Sequence, residues 1–126
     1  MKNWEKLRIT VVGGATVTPI PKGECDSIRD QHAGIPDDYL SFLTEIGWGE
    51  LETLQLFSGP VPASEIYGSK DQLSHVILIG DDYQGYCFGY ETVPVFALVE
   101  VSPSGDLRNL DKSFFDFMEA RSTPSS

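Results

Sequence analysis

Apolar positions along this chain follow two periods, and the change comes near residue 50. Tyr39, Phe42, Leu43 and Ile46 recur at i, i+3, i+4 and i+7, which predicts a helix with one apolar face. The ends of that helix are marked as well. Pro36 suits the first helical position, and Asp37 and Asp38 put negative charge at the positive end of the helix dipole. Gly47 supplies a left-handed stop. Just upstream, Cys25, Ile28 and His32 share one face of a shorter helix expected over residues 24–33, which Gly34 ends. Helices joined this closely form a compact pair.

Beyond residue 50 the period shortens. Residues 51–57 read as a strand, with Leu54 and Leu56 alternating and Leu51 and Phe57 flanking them. Residues 59–68 (GPVPASEIYG) read as a loop with a helical turn near Ser64. Residues 76–79, 86–90, 94–101 and 107–110 are further strands, separated by turns at GDDYQG (80–85) and at 102–105. Asp111 or Ser113 caps a closing helix whose inner face carries Phe114, Phe117 and Met118, and Asp116 follows Ser113 at capping-box spacing. Ahead of the helices, residues 16–23 contain Pro19 and Pro21 and read as extended loop. Residues 1–14 alternate loosely at Leu7, Ile9, Val11 and Val12 and fit a short helix or a strand. Helices first, strands next and one helix last predict an α+β fold. Its parts are N-terminal helices, a mostly antiparallel sheet of about four to six strands, and one C-terminal helix packed against it. Short turns favour antiparallel pairing, because parallel strands need long crossovers. The expected organisation is an N-terminal extension over 1–19, one domain over 20–121 and a frayed tail over 122–126.

Composition narrows the function classes. A length of 126 residues fits one domain with a real core. No apolar run approaches the ~20 residues of a bilayer span. The opening MKNWEKLRITVVGG lacks the apolar block of a signal peptide, so a cytoplasmic location is expected. The formal net charge is −10, from 19 acids and 9 bases. Residues 31–107 hold twelve of those acids and a single base, Lys70. A nucleic-acid binder carries the opposite sign, and so does a protein that sits on an anionic membrane. A basic protein is the natural complement, although plain solubility accounts for the same acidity.

Four segments carry a resemblance. IPDDYLSFLTEIGWGEL resembles the helix and turn of the SUKH superfamily, whose usual form starts Leu-Pro-acid-acid-Tyr and ends Asn-Gly-Gly. VILIGDDYQGYCFGYE resembles its strand, Gly-acid turn and second strand. PVFALVEVSPSGDLRNL resembles its next hairpin, and KSFFDFMEAR its terminal helix. Together they cover about residues 20–121 in order. Departures are Gly47-Trp48-Gly49 in place of Asn-Gly-Gly, Ile35 in place of Leu, and a first stretch of some fifteen residues without a counterpart. The resemblance implies an immunity protein of a polymorphic toxin system. Such a protein neutralises a cognate secreted toxin, often a nuclease or deaminase, by binding it. The alternative it implies is a regulatory protein-binding scaffold of the kind found in the fungal cell-wall regulator, with no toxin partner. The superfamily's fold carries no shared catalytic site, so no enzyme activity and no cofactor are expected.

Chemistry-bearing residues add little to an enzymatic reading. His32 and His75 stand apart, without the spacing of metal ligands. Cys25 and Cys87 lack CxxC spacing and read as two buried free thiols, a single disulfide being the alternative. Asp81-Asp82 lacks the alternating oxygen ligands and distal Glu of a calcium loop and fits a polar turn. The aromatic residues interleaved with acids are the more informative group. Trp48, Glu50, Glu52, Asp81, Asp82, Tyr83, Tyr86 and Tyr90 are the candidate partner-binding residues, since aromatic anchors ringed by carboxylates hold basic proteins. Trp48 and Tyr86 fit either the core or a contact surface, whereas Tyr83 in its turn is expected to be exposed. The expected partner is a protein toxin, with neither nucleic acid nor membrane bound directly, and the expected state is a monomer or weak homodimer.

Overall fold

A computed structural model describes residues 16–51 and 54–122. Strand β1 (Thr16–Thr18) leads into helices α1 (Lys22–Gln31) and α2 (Asp37–Glu45). Strands β2 (Trp48–Glu50) and β3 (Gln55–Pro62) follow, then the single-turn helix α3 (Ser64–Tyr67) and a 3-10 turn over Asp71–Leu73. Strands β4 (Val76–Asp81), β5 (Cys87–Glu91), β6 (Ala97–Val101) and β7 (Leu107–Asn109) complete the sheet, and helix α4 (Phe114–Ser122) closes the described chain. The fold is α+β. All seven strands form one sheet in chain order, β1 to β7, and each pairs antiparallel with the next.

Seven strands among the described residues exceed the four to six expected, and the two not foreseen are β1 and β2. Thr16–Thr18, expected as loop, pairs with β2. Residues 51–57 are not one strand. Leu51 and Leu54 are both buried in the same cluster, which an odd spacing forbids in a single strand, and the chain reverses between them. The Leu51 N–H donates to the Leu54 carbonyl at 2.8 Å to close that turn. Residues 59–62, expected as loop, instead lengthen β3. Register shifts between Leu56 and Val61, and Pro60 and Pro62 fall in and after this bulged stretch, where a missing N–H is tolerated. Of the extension expected over residues 1–19, residues 1–15 lie outside the described residues, as do Glu52 and the tail from residue 123; Ser122, expected in that tail, is instead the last residue of α4.

Alternation sends successive strand residues to opposite faces. One face carries Leu56, Ile77, Ile79, Phe88, Tyr90 and Leu98, and these pack in one cluster with Cys25, Ile28, Tyr39, Phe42, Leu43, Phe114, Phe117 and Met118 of the helices. The predicted inner faces of α2 and α4 are therefore the observed ones. Pro36 sits one position earlier than expected, as the N-cap of α2 rather than its first residue. Asp38 ties the helix layer together. Its carboxylate accepts the Tyr39 N–H at 2.9 Å and, with the other oxygen, the Phe115 N–H at 3.0 Å, so one charge serves the N-termini of α2 and α4. Ser113 accepts the Asp116 N–H at 3.1 Å, half of the predicted capping box. Gly47, at φ 125°, lies so close to the Thr18–Pro19 backbone that a Cβ has no room there.

The other face is covered only in part. The connection over residues 63–75 runs across it as a strap, placing Ala63 and Leu73 against Val76, Leu78, Cys87, Val99 and Val101. The Tyr67 hydroxyl donates to the Val101 carbonyl at 3.2 Å, which pins the strap to β6. Cys25 and Cys87 are free, buried thiols held in separate clusters on opposite faces of the sheet.

Candidate docking surface

Strand register builds the site. Thr16, Glu50, Gln55, Asp81, Cys87, Val101 and Leu107 are directly opposed in turn, one row crossing all seven strands on the strap face. The row is apolar from Cys87 onward, where the strap covers it, and polar from Asp81 back to Glu50. Trp48 lies two residues before Glu50 on the same face, 38% exposed and outside both apolar clusters. Of its two possible places, the surface is the observed one.

The turn after Asp81 adds an aromatic residue to this row. Tyr83 is 49% exposed and adopts a left-handed φ of 67°, a conformation that costs a non-glycine residue on the order of 1 kcal/mol. Carboxylates hold the turn in place. Asp81 accepts the Tyr83 N–H at 3.0 Å through one oxygen and the Gln55 side-chain amide at 2.9 Å through the other. Asp82 accepts the N–H groups of Gln84 at 2.9 Å and Tyr86 at 3.2 Å. The Tyr83 hydroxyl donates to the Leu51 carbonyl at 3.0 Å, tying this turn to the one between β2 and β3. Burial of that hydroxyl, followed by the nearby Glu50 and Asp81 charges, raises its pKa above the ordinary tyrosine value. Asp81 and Asp82 thus form the polar turn expected of them, and Glu50, Asp81 and Tyr83 share one electrostatic environment.

Tyr86 and Asp82 face a second feature at the same end of the sheet. With Glu100, Ser102, Asp106 and Arg108 they line an open groove of about 480 Å³. Arg108 lies directly opposite Glu100 and donates to it at 2.8 Å. Tyr86 is 39% exposed, so it too takes the surface place. Gln55, Glu100, Asp106 and Arg108 were not among the expected site residues. Pairing Val101 with Leu107 across the predicted turn would have put Glu100 opposite Arg108, so that pair was legible from register.

Tyr90 requires a correction. It is 1% exposed, with its ring edge-on to Tyr39 at 6.1 Å and to Phe96 at 5.9 Å, and it is not a surface contact. Alternation explains this: Tyr90 is two residues from Phe88 and points with it into the helix-side core. His32 lies at the C-terminal end of α1, half-buried, and burial lowers its pKa. His75 is exposed. Among the described residues no group of three or more His, Cys, Asp or Glu is arranged to hold a metal ion, and no helix is long and apolar enough to cross a membrane. Comparison with family models, with curated proteins and with solved structures finds no match to this chain.

Proposed function

We propose that this chain is an immunity protein of the SUKH kind, which binds a basic, nucleic-acid-directed toxin and blocks it by occupying its surface. The observation that carries the proposal is the open end of the strap face, where Trp48, Glu50, Asp81 and Tyr83 gather beside the groove of Asp82, Tyr86 and Asp106. The four-segment sequence resemblance supplies the family. In this reading the carboxylates stand in for the phosphates that the toxin's cleft is built to hold. Opposite charges speed encounter, and Trp48 and Tyr83 bury against the partner and slow release. The sheet positions these groups and makes or breaks no bond of the toxin.

The test is co-expression with a toxin encoded next to this chain, followed by isolation of the complex. Protection of the cell, a one-to-one complex and an affinity that weakens as salt rises are expected, because exposed charges are screened beyond ~8 Å at physiological ionic strength. Absence of both protection and complex overturns the proposal.

A further inference from the structure

Residues 64–74 of the strap form an arm that leaves the end of the sheet remote from the acidic turns and folds back over the strap face. Its base is fixed. The Ala63 N–H donates to the Val76 carbonyl at 3.0 Å, one step past the pair Pro62 and Ile77 of the β3–β4 ladder, and the Thr92 N–H donates to the His75 carbonyl at 2.8 Å. The two ends of the arm are therefore held side by side, and it can leave the sheet without parting any strand. Its backbone is satisfied from within. The Ile66 and Tyr67 N–H groups donate to the Ala63 carbonyl at 3.0 and 2.9 Å, Gly68 to Ser64 at 3.0 Å, Leu73 to Lys70 at 3.0 Å and Ser74 to Asp71 at 3.2 Å. An arm built this way moves as a body, because those bonds travel with it when it opens.

Side chains hold the arm down. The Tyr67 hydroxyl donates to the Val101 carbonyl at 3.2 Å, and the Gln72 side-chain amide donates to the Gly105 carbonyl at 3.5 Å. Leu73 and the Tyr67 ring supply the apolar contacts, while Ile66 is 48% exposed. Beneath the arm lie Leu78, Cys87, Val99 and Val101, all buried. Cys87 and Val101 belong to the same row across the strands as Asp81, Gln55 and Glu50. We infer that residues 64–74 are a hinged lid: closed, it leaves the strap face only its polar row to present; open, it joins an apolar strip to that row. The lid is a property of the free chain, and its use in docking rests on the function proposed above. Cys87 reports on its state. The Tyr67 hydroxyl lies against the Cys87 thiol, and burial raises the thiol pKa. A closed lid therefore keeps the thiol from reagents that an open one admits.

The test is alkylation of the full, folded chain by iodoacetamide, read at Cys87 by peptide mass spectrometry over a series of urea concentrations below the unfolding transition. Cys87 should react at least about tenfold faster than the global unfolding equilibrium allows, with less than about half the global urea slope, as befits an opening that exposes little surface. Tyr67→Phe should speed the reaction about two- to tenfold, the loss of one neutral hydrogen bond. Leu73→Ala should speed it at least about tenfold through lost burial. Asp82→Ala loosens the turn ahead of Cys87, where Asp82 accepts the Gln84 and Tyr86 N–H groups, and leaves the arm's own contacts alone. It should change the rate by less than about twofold. A Cys87 rate that follows the global urea slope, no acceleration in Tyr67→Phe and Leu73→Ala, or an acceleration in Asp82→Ala equal to that in Leu73→Ala overturns the inference. No partner takes part in these measurements, so their failure is distinct from failure of the proposed docking.

Discussion

The two faces of the sheet solve different problems with the same strands. On the helix side, three helices cover one face with rings and branched chains. Phe114 contacts Tyr39 at 5.4 Å and Phe42 at 5.6 Å, and Phe88 contacts Phe117 at 4.8 Å. On the strap side, one short connection shields the middle of the sheet and leaves its end to polar residues and exposed aromatics. The difference separates stability from recognition: residues on the first face hold the fold, while those on the open end of the second can change with little effect on it.

The strongest way to break that division is Phe114→Ala. The side chain is 1% exposed and joins α4 to α2, so its loss should cost about 3–5 kcal/mol through lost burial and a cavity. Urea unfolding measures it. A loss below about 1 kcal/mol would mean that the helix layer is not what holds the sheet.

Much of that layer was legible in the sequence, and the reason is periodicity. The spacing of Tyr39, Phe42, Leu43 and Ile46 has a helical solution and no strand solution, and all four are buried. The strap face was harder to read. The 51–57 reading failed because an apolar run does not show where it reverses, and Leu51 and Leu54 satisfy the same core from the two sides of a turn. The reach of β3 through Pro60 and Pro62 was not legible, since a bulge that absorbs a missing N–H depends on the partner strand's register. The candidate site was legible in its residue types and partly wrong in its members. Trp48, Glu50, Asp81 and Tyr83 converge because of register, while Tyr90 points inward because it is an even number of residues from Phe88. Tyr83 is bonded across to the Leu51 carbonyl, a link between residues 32 apart in sequence that no local pattern encodes.

A sharper probe of the second face is Tyr67→Phe. The substitution removes the hydroxyl that donates to Val101 and keeps the ring that packs against the strap-side cluster. A loss of about 0.5–1.5 kcal/mol is expected, the range for a single neutral hydrogen bond. Hydrogen exchange should quicken in residues 63–75 and stay unchanged in α2. Faster exchange spread evenly through both faces would show that strap and helix layer are one cooperative unit rather than two.

Glu50→Lys tests the recognition half of the comparison. Glu50 is exposed on the open end, so folding stability should move by less than about 0.5 kcal/mol. Association with a basic partner should slow about severalfold at low salt and converge with the parent rate at high salt, the mark of lost steering rather than lost contact. An unfolding midpoint lowered as far as that of Tyr67→Phe would place Glu50 among the residues that hold the sheet.

The smallest expected effect belongs to the helix side and depends on pH. His32 ends α1, and burial disfavours its charged form, so its folded pKa lies below the ordinary value of 6.5. Above pH 6.5 the imidazole is neutral in both states and contributes no pH dependence. As pH falls below 6.5 the unfolded chain takes up the proton first, so stability decreases until the folded pKa is passed and then levels off. His32→Gln removes the titrating group and keeps a polar side chain of similar length. Urea midpoints measured at half-unit steps from pH 7.5 to pH 5 should therefore fall less steeply for the variant than for the parent, and only below pH 6.5. Parallel curves would mean that the end of α1 opens freely to water. The boundary between the two parts of the molecule would then run inside the helix layer rather than through the sheet.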